Sequence, residues 1–402
     1  MEINHTYYKK IIYKKNAFED IKTYIKLNFN NKNILLVSTK SVQAEDVTCL
    51  LNSLFCGSEN VCHFVSRQNF EKSELDLLNN KLISGKYNLL VAFGGGKCCD
   101  VVKYFASIIG VPYIVCPTVA TSLAYFSNYC INPYDSTKSF YADFPAKIFI
   151  QEQIIKGSSC YFNLQGLCFI HSLRALYLEG IMRDNEKERY IFMGLEKVFA
   201  KLEYEQTNIL LCGEDSNLVL MDLLIDFGFW IGLLNREEYY LFNMFNNLEN
   251  LDEKAQKEMS GKKMLLCAKS ILLLMQKYIE LNSVYCLEKN NFQNLAILLK
   301  SNKIEYKLLK NNIFFNNFNK KVAIKHQFLL NKETEYKMIS TQLLKIKEFA
   351  NKVRMLFKTG IEMTSDISCV FKALAITPFI YNSSSNINII ANSGVLNCFM
   401  QN

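Results

Sequence analysis

Histidine is scarce in this 402-residue chain: there are four, and none lies between His171 and His326. A metal site built on imidazoles from that long stretch is therefore excluded. Proline is scarce too, and of the five only Pro378 lies beyond residue 155. The fourteen cysteines include no Cys-x-x-Cys pair, and Cys62-His63 is too little for a metal site. A disulfide framework does not suit a chain of this length without an export signal, so the cysteines read as buried thiols in a reducing compartment. Met1 to Lys15 is polar and aromatic, with no apolar export core, and a cytoplasmic location is expected. The longest apolar stretch, Met264 to Met275, is broken by Lys269 and is too short to span a bilayer. The net charge is +8, yet lysine and asparagine are spread evenly and no basic block carries interleaved aromatics, which argues against nucleic-acid binding.

What is present is ample apolar material. Half of the residues are hydrophobic, enough for two cores, and the length suits two domains. The most informative stretch starts at Leu89-Leu90-Val91-Ala92-Phe93, a wholly apolar run that suits a buried parallel strand. Gly94-Gly95-Gly96-Lys97 follows, and Asp100, Val101, Lys103, Tyr104, Phe105 and Ala106 begin a helical pattern. Glycines let the backbone turn sharply and approach a ligand, and a helix start offers N–H groups and a positive dipole end to an anion. The same turn can also be purely architectural. Gly110 to Cys116 reads as the next strand, ending in the hydroxyl-bearing loop Pro117-Thr118-Val119-Ala120-Thr121-Ser122. In open α/β sheets ligands bind at such carboxyl ends.

The rest of the first third alternates. Strands are expected at Asn33–Thr39, Val61–Ser66 and Lys147–Ile150, and helices at Val42–Phe55 and Phe70–Ser84. Ser38 and Thr39 would then lie near a bound nucleotide. Asn132 to Ser136 is a turn signal. Such alternation predicts a doubly wound parallel sheet. After Ile155 leucine-rich periodic segments take over: 164–178, 185–202, 218–234, 262–281, 292–299 and 341–357. The expected organisation is an α/β Rossmann-like parallel-sheet domain over residues 1–155 and an all-α domain over 156–402, with 301–325 as a loop or short strand insertion.

The order Gly94-Gly95-Gly96-Lys97, Asp100, Lys103, Ala106, Gly110, Pro112, Pro117-Thr118, Ser122 and Ser127 resembles the iron-containing alcohol dehydrogenase superfamily. That group includes glycerol dehydrogenases, sn-glycerol-1-phosphate dehydrogenases and, more distantly, dehydroquinate synthases; the chain looks most like the glycerol-1-phosphate branch. The resemblance is specific from Leu89 to Ser127. It implies a dehydroquinate synthase-like architecture, NAD or NADP as cofactor, a divalent metal between the domains, and hydride transfer between an alcohol and the nicotinamide. The substrate it implies is a small polyol or polyol phosphate. Residues taken as cofactor-binding are Gly94, Gly95, Gly96 and Lys97 for the pyrophosphate, Asp100 on the first helical turn, and the hydroxyls of Thr118, Thr121, Ser122 and Ser127. Tyr125 and Phe126, bulkier than their counterparts in the family, are expected to crowd the nicotinamide pocket.

The family's metal ligands, one Asp and two His, do not carry over. Its Gly-x-Gly-Asp motif reads here Gly166-Leu167-Cys168-Phe169, so Phe169 stands at the carboxylate position. Its Glu-His-x-x-x-His motif reads Glu238-Tyr239-Tyr240-Leu241-Phe242-Asn243, and its His-Gly motif reads Ser260-Gly261. Leu123 stands for the aspartate that holds a substrate hydroxyl, and Gln151 for the aspartate after the last strand. His171 lies about 200° round the helix from Phe169, which makes it a packed or solvent-facing histidine rather than a ligand. No metal ligands and no catalytic residues are therefore assigned. Three readings stay open: an NAD(P)-dependent oxidoreductase, a pseudoenzyme that binds a nucleotide or a partner, and a metal-free enzyme using Tyr239 or Lys262 as acid–base groups. Homo-oligomers are compatible with each. Adjacent Cys98 and Cys99 are either redox-sensitive or simply buried.

Overall fold

The computed structural model describes residues 7–29, 33–55, 60–67, 69–134, 139–183, 186, 188–213, 215–234, 239, 241, 242, 244, 245, 260–280 and 332–357. The elements of the first part run β1 (Ile11–Lys14), α1 (Ala17–Asn28), β2 (Asn33–Thr39), α2 (Ala44–Phe55), β3 (Asn60–Ser66), α3 (Lys72–Gly85), β4 (Leu89–Gly94), α4 (Gly96–Ile109) and β5 (Tyr113–Pro117). A single 3₁₀ turn, Leu123–Phe126, then leads to β6 (Tyr129–Ile131), β7 (Ser139–Tyr141), β8 (Lys147–Gln151) and α5 (Glu152–Lys156). Long helices follow: α6 (Cys160–Arg183), α7 (Arg189–Leu210), α8 (Ser216–Gly232), α9 (Ser260–Glu280) and α10 (Lys332–Phe357).

Six strands form one parallel sheet in the order β1-β8-β5-β4-β2-β3. The apolar runs read from the sequence are its centre. Every residue of β4 and β5 is buried, as are the five inner residues of β2. Side chains alternate between two covered faces, which is why these strands lack polar alternation. On one face Ile34, Leu36, Leu89, Val91, Phe93, Ile114, Cys116 and Phe149 pack with Ala17, Phe18, Ile21 and Ile25 of α1 and Leu50 and Leu54 of α2. α4 lies against β2, β4 and β5.

The chain steps from β2 outward to β3, then returns to β4 and continues the other way to β5 and β8. Right-handed crossovers therefore place α1 and α2 on one face and α3 and α4 on the other. β2 and β4 are neighbours whose connections diverge, with Ser38 level with Phe93. Their carboxyl ends flank the switch point of the sheet, where doubly wound folds take their ligands.

Two features differ from the expectation. β1 precedes the strand read as first and adds an edge beside β8, pairing Ile11 with Ile148 through Lys14 with Gln151. Its four residues are bracketed by lysines and have little periodicity to read. β6 and β7 form a separate antiparallel pair around the turn signal, where Asn132 Oδ1 accepts the Tyr134 N–H at 2.9 Å, an Asx turn. The expected helix 292–299 and the segment 301–325 lie outside the described residues.

Two compact units emerge: Met1–Leu167 with Gly194–Leu234, and Cys168–Met193 with Asn235–Asn402. The first unit takes in α8 and most of α7, which the change of composition at residue 155 assigns to the helical part. The reason is packing: the 3₁₀ turn lies on α8, where the absent side chain of Gly228 makes room for Phe126. Gln151 accepts the Phe18 N–H at the start of α1 at 3.2 Å and ties that helix to β8. In the second unit α9 packs along α10.

Candidate nucleotide site and the metal-ligand positions

The glycine turn and the hydroxyl loop meet. The Thr118 N–H donates to the Gly94 carbonyl at 3.3 Å, and Ser122 lies directly over Gly96. The three glycines do different work. A Cβ on Gly94 would stand 3.0 Å from Cys98 Cβ, and one on Gly96 would stand 2.7 Å from Ser122 Oγ. Packing alone accounts for both. Gly95 is another matter: its nearest neighbour would be Val119 Cγ2 at 3.7 Å, an ordinary contact. Its φ of −77° and ψ of −176° are open to any residue. Nothing in the fold requires glycine there, whereas a close approach by a ligand would. Gly95 is also the N-cap of α4 and offers no side-chain cap, so the first N–H groups of a fourteen-residue helix point at that space.

Lys103 explains how the loop is held. Its side chain is fully buried, and its ammonium donates to the Tyr129 carbonyl at 2.8 Å, the Ala124 carbonyl at 3.0 Å and Asp100 Oδ1 at 3.4 Å. One cation thus joins α4 to the 3₁₀ turn and β6, and satisfies all three of its N–H bonds. In the sequence Lys103 is one residue of a helical pattern, and its carbonyl partners, 21 and 26 residues away, reach it only in the fold. Asp100, taken as cofactor-binding, faces this ammonium. Ser122 Oγ accepts the Ala124 N–H at 3.0 Å and caps the 3₁₀ turn, and Thr121 shares a hydrogen bond with the Tyr125 hydroxyl at 3.3 Å. Ser127 Oγ is buried and has no hydrogen-bond partner among the described residues. Lys97 is exposed, with Glu71 and Glu74 as its neighbouring charges. Tyr125 and Phe126 are completely buried, ring against ring at 5.7 Å. Phe126 packs on α8, so neither ring stands exposed at the mouth of the turn.

Cys98 and Cys99 are buried at the start of α4, and the Cys98 thiol donates to the Val37 carbonyl at 3.4 Å. Burial pushes the Cys98 thiol up to about 12 and the Cys99 thiol well above its usual value. The thiolate is the reactive form, so of the two readings the buried, inert thiol holds. Iodoacetamide at pH 8 is expected to leave both unlabelled in the folded protein and to modify both after denaturation; mass-spectrometric mapping checks this.

The second unit holds the positions mapped to metal ligands. Phe169, half-buried on α6, has no lone pair to offer. Tyr239 is fully buried and donates its hydroxyl to Glu188 Oε2 at 2.8 Å. Asn243 lies outside the described residues, as does the side chain of Ser260. His171 is packed, stacked on Phe349 at 4.1 Å, and its Nδ1 accepts from Arg174 Nε at 3.3 Å. Arg174 in turn donates to Gln342 Oε1 at 2.8 Å. Among the described residues no group of three or more His, Cys, Asp or Glu is placed to hold a metal ion. Phe169 and Tyr239, at positions where the resemblance implies metal ligands, offer no side chain suited to holding a divalent metal. Among the described residues no helix is long and apolar enough to cross a membrane.

Residues 12–158 match a family described as iron-containing alcohol dehydrogenase. Glycerol dehydrogenase 1 of Schizosaccharomyces pombe is 27% identical over 163 residues, which is 40% of this chain and 36% of that protein. The match thus spans about a third of that relative's length. Among solved structures, an alcohol dehydrogenase from an archaeon of a Red Sea brine pool superposes with a TM-score of 0.65 at 12% identity, covering 97% of this chain and 96% of that one. An iron-containing alcohol dehydrogenase of Thermotoga maritima gives 0.60 at 12% identity, covering 96% and 98%. These likenesses establish the fold.

Proposed function

We propose that this chain, whose likeness to the iron-containing alcohol dehydrogenase superfamily runs through both sequence and fold, is a dinucleotide-dependent oxidoreductase. Its substrate is the alcohol group of a small polyol or polyol phosphate. The observation that carries the reading is Gly95: the glycine at the open N-terminus of α4, at the switch point, is one that packing does not demand. A bound dinucleotide supplies the hydride acceptor or donor. The chain's own part is to hold it. The N–H groups of Gly96 and Lys97 face the pyrophosphate and the Lys97 ammonium adds charge. The Ser122 hydroxyl lies over Gly96 at the same turn, and the hydroxyls of Thr118 and Ser127 complete the proposed cofactor contacts. Thr121 and Asp100 act a step back, through Tyr125 and Lys103.

A second reading is favoured by Phe169 and Tyr239: a protein that keeps the nucleotide and has given up the dehydrogenase reaction. Polarising the alcohol is the part of the chemistry for which the family uses its metal, and these two side chains supply no substitute. Thermal shift with millimolar NAD and NADP, followed by nicotinamide absorbance with glycerol and glycerol 1-phosphate, separates the two. A shift with turnover supports the oxidoreductase. A shift without turnover supports the second reading. No shift with either cofactor overturns both.

A further inference from the structure

We infer that Lys40, in the turn after β2, makes this chain prefer a dinucleotide carrying a 2′-phosphate; the inference rests on the nucleotide reading above. β2 lies beside β4 across the switch point, and Thr39 Oγ1 is 4.0 Å from where a Cβ on Gly94 would stand. A dinucleotide with its pyrophosphate on Gly95 and Gly96 extends its adenosine half over this neighbouring strand end. In sites of this kind a carboxylate after the neighbouring strand binds the ribose 2′-hydroxyl, and a cation there accommodates a 2′-phosphate.

Here the strand ends Ser38-Thr39-Lys40-Ser41, with no carboxylate. The backbone is fixed: the Val42 N–H donates to the Thr39 carbonyl at 3.1 Å and the Lys40 N–H to the Ser66 carbonyl at 2.9 Å. The Thr39 and Ser41 hydroxyls lie 2.7 Å apart. Lys40 and Ser41 are exposed at the corners of this turn, and Lys40 has no ion-pair partner among the described residues. Two hydroxyls and a lysine around a closed turn form an oxyanion site with a charge.

The acids nearby are otherwise engaged. Glu74 accepts the Ser66 hydroxyl and the Arg67 N–H, each at 2.6 Å, and the Phe70 N–H at 3.0 Å. Glu71 and Glu74 act on Lys97. Glu45 and Asp46 lie in the first turn of α2, where they complement its dipole.

The test is titration calorimetry of the full chain, in phosphate-free buffer, with 2′,5′-ADP and 5′-ADP. The expected result is 2′,5′-ADP binding at least about tenfold more tightly, the size of one charge-assisted phosphate contact. Lys40→Ala should close most of that gap, and Thr39→Asp should reverse it. Equal affinities, or tighter 5′-ADP, overturn the inference and leave nucleotide binding standing. A preference that survives Lys40→Ala overturns the placement. If neither probe binds, the nucleotide reading falls and this inference with it.

Discussion

Gly95→Val is expected to abolish dinucleotide binding while leaving the fold in place. A valine at this N-cap meets no atom closer than ordinary contact at Cβ, and its backbone conformation is one that valine adopts readily. There is no side-chain cap to lose, so the stability change should stay within about 1 kcal/mol. The isopropyl group would, however, stand where the pyrophosphate approaches the helix N–H groups. Losing two such bonds, each worth roughly 1.5–3 kcal/mol to a charged acceptor, weakens binding by at least about a hundredfold. Calorimetry with the tighter-binding cofactor, beside a thermal melt, reads both halves. Gly96→Ala provides the contrast: its Cβ would press on Ser122 Oγ, so it should lose stability as well as binding. A Gly95→Val protein that binds like the parent would show that the glycine turn carries no phosphate.

The second large effect is on stability. Lys103→Met keeps the length of the side chain and removes its charge. The carbonyls of Ala124 and Tyr129 and the Asp100 carboxylate then lose their common donor inside the protein. Breaking a buried ionic contact by deleting one partner costs about 3–5 kcal/mol. Trp230, the single tryptophan, sits in the first unit with the sheet, so its fluorescence follows this unit in a urea titration. The transition should move to markedly lower urea. A midpoint within error of the parent's would show that the three acceptors find water instead. Lys103→Arg is not expected to rescue, because a planar guanidinium does not match a site of three convergent acceptors.

Both effects were only half legible beforehand. Apolar runs and punctuating glycines placed β2, β3, β4, β5 and β8 within a few residues, since a strand covered on both faces has to be written in apolar side chains. The long helices were readable from their leucine spacing. β1 is not legible because an edge strand of four residues, flanked by lysines, carries no such run. The candidate site divides in the same way. Gly94, Gly95 and Gly96 are identical in sequence, and only their surroundings separate the two that packing demands from the one with open space beside it. That the Asp100 carboxylate faces the Lys103 ammonium is visible only in the fold.

The amino-acid order by itself determined that a parallel sheet would form and that a glycine turn would feed α4. These are matters of local pattern and residue chemistry. Tertiary structure decided what each polar side chain touches: Lys103 on the hydroxyl loop, Glu74 closed on the β3–α3 turn, Tyr239 on Glu188. Those partners lie between eight and fifty-one residues apart, or are reached only through strand order, and no local pattern encodes which of many acceptors a buried donor will meet.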